Sequence, residues 1–188
     1  METKQKSKKT TRTKKLKIDL GFADLYCKEK DAQSISKVAK FAYLKNKRFF
    51  KRDIKKKFKI IVVYSRKELN KEWGGKTETW LTACSDFGRI ATFPDNLIRK
   101  YNPRKDVGNL TSSLLHEMNH QFYYQIVGGR KPSWLLEGLA MQIDGYKMNK
   151  YDKKIFKQKL PPLCYSHTEK GYWKYADFLS NELPISKD

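Results

Sequence analysis

One helix-forming segment of this 188-residue chain carries an unusual set of polar side chains among apolar ones. Asn109 can cap a helix over about residues 110–127, which two glycines then end. The pentapeptide His116-Glu117-Met118-Asn119-His120 lies inside that segment. Its i, i+4 spacing places both imidazoles on one helix face, one turn apart. Any fold of this chain must therefore either expose this face or supply it with partners.

The pentapeptide has a structural and a chemical interpretation. The structural one is a polar, solvated face of an amphipathic helix, because a pattern with three fixed letters also occurs by chance. Apolar neighbours make that interpretation a poor fit, since they indicate a face that is at least partly buried. Buried imidazoles and a carboxylate need partners, and a cation shared by both histidines is the simplest partner. These neighbours are Leu114, Leu115, Met118, Phe122 and Tyr123.

A third metal ligand is expected from outside this turn of helix, because hydrolytic zinc sites use three protein ligands. The best candidate is Glu137, in a short, largely apolar helix predicted over residues 134–143. A carboxylate among leucines is rarely buried unless it is paired or binds a metal. The Gly128-Gly129 pair permits the chain reversal that would return Glu137 to the histidines. The alternative is a surface glutamate that interacts favourably with the helix dipole.

The two motifs together carry a resemblance to a known family. H-E-x-x-H followed by W-L-x-E-G-L-A resembles the gluzincin metallopeptidases, most closely the small proteins described as peptidase MA-like. The resemblance covers roughly residues 30–180 and implies a zincin-like fold with one Zn²⁺ per chain. It implies His116, His120 and Glu137 as zinc ligands and Glu117 as general base. The implied activity is zinc-dependent hydrolysis of peptide bonds in a peptide or protein substrate.

The resemblance also implies a substrate-binding strand. In zinc peptidases of this general class an edge strand pairs with the substrate backbone. In this chain we expect that strand at residues 89–93, before the H-E-x-x-H helix. The alternative is an ordinary structural strand. The residues assigned to substrate binding are Arg89, Ile90, Ala91 and Thr92.

Two further roles complete the expected site. Asp144 lies seven residues after Glu137 and is a candidate to orient one of the histidine ligands. A tyrosine or histidine is expected to stabilise the oxyanion of the reaction intermediate, and no motif decides which one. The candidates for that role are Tyr165, His167, Tyr172 and Tyr175.

Apolar periodicity predicts the other elements and the fold class. Ser65 and Glu68 form a capping box at the start of one short helix. A helix, then strands, then helices is the order of an α+β fold with a small mixed or antiparallel sheet. The closing part of the chain is expected to be irregular and then helical. The predicted elements are a helix at 31–50, a strand at 58–64, a helix ending near 73, a hairpin of 79–84 with 89–93 around a four-residue connection, irregular structure at 146–162 and a helix at 170–179.

The positive charge is concentrated in the first third of the chain. Residues 1–59 hold 21 Lys/Arg and 6 Asp/Glu, a net of +15, whereas residues 60–188 hold 20 and 14, a net of +6. Residues 1–17 have almost no apolar side chains, so we expect a basic disordered arm there and a single domain over residues 18–188. The arm is either a solvated tail or a foothold on nucleic acid or an anionic surface.

The resemblance and the charge leave two rival functions open. One is a nucleic-acid-associated protein that uses a protease module on bound proteins, and the other is a zinc-binding pseudoenzyme used as a scaffold. No stretch is long and apolar enough to span a membrane, no secretory signal is visible, and three scattered cysteines form no disulfide framework. We therefore expect a cytoplasmic protein. The sequence does not indicate its oligomeric state.

Overall fold

The computed structural model describes residues 15–102, 108–130 and 133–145, and in these parts the chain is a mixed α+β fold. Five strands form one sheet, and five α-helices accompany it in the described residues. The strands are β1 (Leu16–Asp19), β2 (Ala23–Cys27), β3 (Phe58–Val62), β4 (Ala83–Asp86) and β5 (Arg89–Thr92). The helices are α1 (Ala32–Phe50), α2 (Arg66–Trp73), α3 (Asp95–Tyr101), α4 (Leu110–Val127) and α5 (Ser133–Asp144).

The sheet has the strand order β1-β2-β3-β5-β4. The β2–β3 and β3–β5 pairs are parallel, and the outer pairs β1–β2 and β4–β5 are antiparallel. Leu25, Ile60 and Ile90 lie side by side across the three central strands, and each is fully buried. Apolar residues of α1 and α4 pack into the same core. The buried face of the sheet therefore supports α4, the helix that carries the two histidines.

Two predicted helices are confirmed at their ends and a third in its extent. Ser65 Oγ accepts a hydrogen bond from the backbone N–H of Glu68 at 3.2 Å, as the capping box requires. Gly74 ends α2 in the left-handed conformation, with φ of 85°. The side chain of Asn109 accepts from the N–H of Ser112 at 3.1 Å and caps α4. The predicted helix over residues 31–50 is α1.

Several elements differ from the sequence prediction. Strands β1 and β2 and helix α3 were not predicted, and β1 begins within the segment expected to be a disordered arm. Lys17 of β1 pairs with Asp24 of β2 at 2.8 Å, so this lysine belongs to a strand pair. The hairpin strand expected over residues 79–84 is β4, which begins only at residue 83. Its connection to β5 has two residues, Phe87 and Gly88, instead of four.

The expected edge position of residues 89–93 is wrong. Strand β5 pairs with β3 on one side and with β4 on the other, so its backbone groups are already used in the sheet. A substrate strand cannot be added there, and Arg89, Ile90, Ala91 and Thr92 lose the role assigned to them. Strand β4 stands at the edge of the sheet instead.

Some predictions lie outside the described residues. These are the first fourteen residues of the arm, the irregular segment at 146–162 and the helix at 170–179. Among the helices in the described parts of the chain, none has both the length and the hydrophobicity that crossing a membrane requires.

A buried amide pair joins α1 to α4. Asn46 of α1 is fully buried, and its Nδ2 donates to the carbonyl oxygens of Ala42 and Leu115 at 3.0 and 3.1 Å. Asn119 of α4, also fully buried, donates from Nδ2 to Oδ1 of Asn46 at 3.1 Å. Because Asn119 lies between the two histidines in sequence, this pair fixes the position of the turn of α4 that carries His116 and His120 relative to α1.

We expect Asn46→Ala to lower the free energy of unfolding by about 1–3 kcal/mol, because it leaves the buried amide of Asn119 without its acceptor. Urea denaturation followed by circular dichroism measures the change. Lys40→Ala on the exposed side of the same helix is the matched control and should change stability by less than about 0.5 kcal/mol. Equal effects of the two substitutions would contradict a stabilising role of the amide pair.

Candidate metal centre

Helix α4 presents two histidines one turn apart. The ring centroids of His116 and His120 are 4.8 Å from each other, and the rings are nearly perpendicular, at 87°. His120 is 5% exposed, whereas His116 is partly exposed. Gly128 ends the helix with φ of 77°, and its N–H donates to the carbonyl of Tyr124 at 2.9 Å. This glycine allows the chain to turn towards α5.

Helix α5 brings a carboxylate to both histidines. Glu137 Oε2 lies 3.2 Å from Nε2 of His116, and Oε1 lies 3.7 Å from Nε2 of His120. Two small residues of α5 are buried beside Glu137, namely Gly138 and Ala140. Small buried residues let two helices approach closely, so the sequence of α5 allows the glutamate to reach α4.

The three side chains fit a metal ion such as zinc. One possible ligand atom each from His116, His120 and Glu137 lies within 4.8 Å of the others. Tetrahedral zinc with bonds of about 2.0–2.1 Å separates its ligand atoms by about 3.3 Å, close to the 3.2 Å between Glu137 Oε2 and His116 Nε2. Two imidazoles and one carboxylate also form a donor set that is common in catalytic zinc sites, and it leaves a fourth position for water.

The protonation state of His120 suits metal binding. Burial lowers the pKa of His120 to about 4, so its ring is neutral at physiological pH. A neutral imidazole is the form that binds a metal. Among the described residues, Nδ1 of His120 has no hydrogen-bond partner.

Asp144 holds the other histidine in place. Its Oδ2 lies 2.9 Å from Nδ1 of His116, across from the Nε2 atom that faces Glu137. Burial lowers the pKa of His116, but the hydrogen bonds to Asp144 and Glu137 outweigh it and raise the pKa well above its ordinary value. When Nδ1–H donates to Asp144, Nε2 is the atom that remains for a metal, and the ring orientation is fixed.

The two glutamates near the histidines have different environments. Burial raises the pKa of Glu117 to about 7; His116 opposes the rise, and Glu137 and Asp144 add to it. Burial also acts to raise the pKa of Glu137, but the nearby His120 and His116 outweigh it and the pKa is lowered. Glu137 is therefore ionised, as a ligand must be, whereas Glu117 has the affinity for a proton that a base near neutral pH needs.

Gln121, the residue after His120, attaches the β4–β5 hairpin to α4. It is 1% exposed, and its Nε2 donates to the carbonyl oxygens of Asp86 and Arg89 at 2.7 and 3.1 Å and to Ser85 Oγ. Its Oε1 accepts from the N–H of Gly88 at 3.0 Å. The side-chain amide of Gln121 therefore forms hydrogen bonds with four groups of the hairpin. It holds the end of β4 beside the turn of α4 that carries His116 and His120.

A second group of side chains surrounds the hairpin turn. Arg130 forms an ion pair with Asp86, and its guanidinium lies 5.1 Å from the ring centroid of Phe87. Phe87 packs on Tyr124, with ring centroids 4.4 Å apart. Tyr124 in turn stacks on His120 at 6.1 Å. The hairpin turn is thus in contact with the same helix face as the histidines.

The sequence predicts that His116, His120 and Glu137 lie together and offers Asp144 as their neighbour, and the structure brings these side chains together. The sequence analysis did not predict Gln121 or Arg130. The signal for Gln121 is its position, since it adjoins His120 and the aromatic residues Phe122 and Tyr123 in a helix with little solvent exposure. No comparable signal marks Arg130. The oxyanion candidates Tyr165, His167, Tyr172 and Tyr175 all lie outside the described residues.

Comparisons with known proteins identify no relative of this chain. No family model, no curated protein and no solved structure matches it. The basis for a function is therefore the geometry of His116, His120 and Glu137 and the residues around them.

We expect Asp144→Asn to weaken zinc binding roughly 10–100-fold, because the amide oxygen is a weaker acceptor for Nδ1–H of His116 than the carboxylate. A competition titration with a zinc-sensitive chelating dye measures the affinity. Glu78→Gln, an exposed substitution of the same kind, is the control and should leave zinc affinity unchanged. Equal zinc affinity of the Asp144→Asn variant and the unmodified chain would remove Asp144 from the site.

Proposed function

We propose that the chain is a zinc-dependent metallopeptidase of the gluzincin type with a zincin-like fold. The observation that carries the proposal is the convergence of His116, His120 and Glu137 from two helices onto one point. The order of the motifs supports it, because the two histidines and Glu117 lie on one helix and the third ligand lies on the next. The mixed sheet beside that helix is compatible with a zincin-like arrangement.

The residues of the site then have distinct roles. When bound, zinc acts as a Lewis acid and lowers the pKa of a coordinated water towards neutrality. Glu117, 8% exposed and next to His116, accepts the proton of the attacking water and passes it to the leaving amine. Asp144 keeps the ring of His116 oriented through Nδ1, so Nε2 stays directed at the metal position.

Strand β4 is suited to align a peptide substrate. The carbonyl of Thr82 accepts from the N–H of Phe93 at 3.1 Å, so in the alternating antiparallel pattern the peptide groups of Ala83 and Ser85 point away from β5. No other strand among the described residues occupies that side of β4. An extended peptide can pair there by adding a strand to the sheet.

The edge strand also lies near the proposed base. Burial raises the pKa of the Cys84 thiol to about 12, and the charge of Glu117 adds to the rise. Cys84 stands in β4, so this edge strand lies within electrostatic reach of Glu117. The thiol is protonated at neutral pH, which argues against a role for Cys84 as nucleophile.

We expect Glu117→Gln to keep zinc and to lower kcat by about 10²–10⁴-fold, because the amide accepts no proton from water. His120→Ala should lose most of its zinc as well as activity, because two ligands hold the metal poorly. Zinc content by inductively coupled plasma mass spectrometry and hydrolysis of a fluorogenic peptide library measure the two properties separately.

The outcomes distinguish a peptidase from a zinc scaffold. Gln33→Glu, far from the site on the exposed side of α1, is a control that should change neither zinc content nor turnover. Zinc binding by the unmodified chain without turnover of any library member would favour the pseudoenzyme. Full activity of the Glu117→Gln variant would contradict the role of Glu117 as base.

A further inference from the structure

Among the helices that the structure describes, α1 has the largest net positive charge. Helix α1 has 19 residues with five Lys/Arg and no Asp/Glu. Its buried residues Ile35, Ala39, Ala42 and Asn46 define the side that packs on the rest of the protein. The residues at positions 37, 40, 41, 44, 45 and 48 follow the i, i+3, i+4 spacing and form the opposite, exposed stripe.

Two apolar side chains stand in the middle of this basic stripe. Phe41 is 45% exposed and Leu44 is 61% exposed, the largest exposed fraction among the exposed large hydrophobic residues that the structure describes. Lysines lie next to both along the stripe, and the Nζ of Lys45 lies 5.7 Å from the ring centroid of Phe41. An exposed aromatic and an exposed leucine so close together form a small apolar patch, and covering it would remove apolar surface from water.

The charges of the stripe are not neutralised within the described parts of the protein. Lys47 forms an ion pair with Asp53 at 2.6 Å. The other basic residues of α1 form no ion pair with any residue that the structure describes, and the connection from α1 to β3 adds further exposed cationic residues. The cationic residues of α1 without such an ion pair are Lys37, Lys40, Lys45 and Arg48.

We propose that the outer face of α1 binds the surface of an anionic lipid bilayer. Lysines attract the acidic headgroups, and their apolar stems tolerate the interface. Phe41 and Leu44 reach the boundary between headgroups and acyl chains, where leaving water is favourable. The phosphates of a nucleic acid attract the same lysines but offer no environment for Leu44, so the exposed apolar pair favours the lipid surface.

Vesicle flotation with the full chain tests the proposal. The chain should bind phosphatidylcholine vesicles that contain phosphatidylserine, and should not bind vesicles of phosphatidylcholine alone. Phe41→Ser with Leu44→Ser keeps every charge and should weaken binding by about fivefold or more. Lys37→Glu with Lys40→Glu should weaken it by about tenfold or more. All substituted side chains are exposed, and thermal melting by circular dichroism verifies that each variant is folded.

Two controls make the result decisive. Lys67→Glu with Lys71→Glu on α2 changes the net charge by the same amount at exposed positions outside the stripe, and should leave vesicle binding nearly unchanged. A mixed-sequence DNA duplex and an RNA hairpin are titrated in parallel.

Three outcomes would overturn the proposal. They are unchanged vesicle binding of the serine variant, an equal loss of binding in the α2 variant, and tighter binding to nucleic acid than to vesicles. Zinc content does not enter the measurement, so the result is independent of the proposed peptidase activity.

Discussion

The burial of α4 is the constraint on which the rest of the structure depends. Buried polar groups cost free energy unless each finds a partner, and the middle of this helix buries four polar or charged residues in five positions. Three of these four residues face different elements: Asn119 donates to Asn46 of α1, Gln121 donates to the β4–β5 hairpin, and His120 faces Glu137 of α5. These contacts relate α4 to three neighbours, and the group of His116, His120 and Glu137 lies where α5 meets α4.

The ends of single helices were predictable from the sequence, whereas the order of the strands in the sheet was not. The ends of α4 follow from Asn109 and Gly128, because capping depends on local residues. The approach of Glu137 to the histidines was predictable because a carboxylate among leucines needs a partner and the glycines before α5 permit the reversal. Strand order has no such local signature. The sequence of residues 89–93 is compatible with either an edge strand or an inner strand. Only the pairing of β5 with β3 shows that it is an inner strand.

One element that the sequence did not predict, β1, owes its structure to a neighbour in the sheet. Strand β1 contains two apolar residues in four and is mostly exposed, so its composition resembles that of the lysine-rich segment before it. What makes it a strand is its pairing with β2, where Lys17 meets Asp24 across the ladder. Cross-strand pairs of opposite charge stabilise a sheet, but they join residues whose relation is not visible along the sequence. A basic composition therefore predicts disorder for residues 1–17, whereas Leu16 and Lys17 of that segment belong to the sheet.

The amide pair of Asn46 and Asn119 also relates the candidate metal centre to the basic stripe. Because Nδ2 of Asn46 reaches the carbonyl of Leu115, immediately before His116, α1 cannot rotate about its axis without breaking a buried hydrogen bond. Residues two positions apart on a helix lie about 200° apart, so the orientation that buries Asn46 necessarily exposes Leu44. The hydrogen bonds that hold the turn with His116 and His120 therefore also determine which side chains α1 presents to the outside. The exposed apolar pair is thus a consequence of how α1 is anchored, and its flanking lysines decide what kind of surface can cover it.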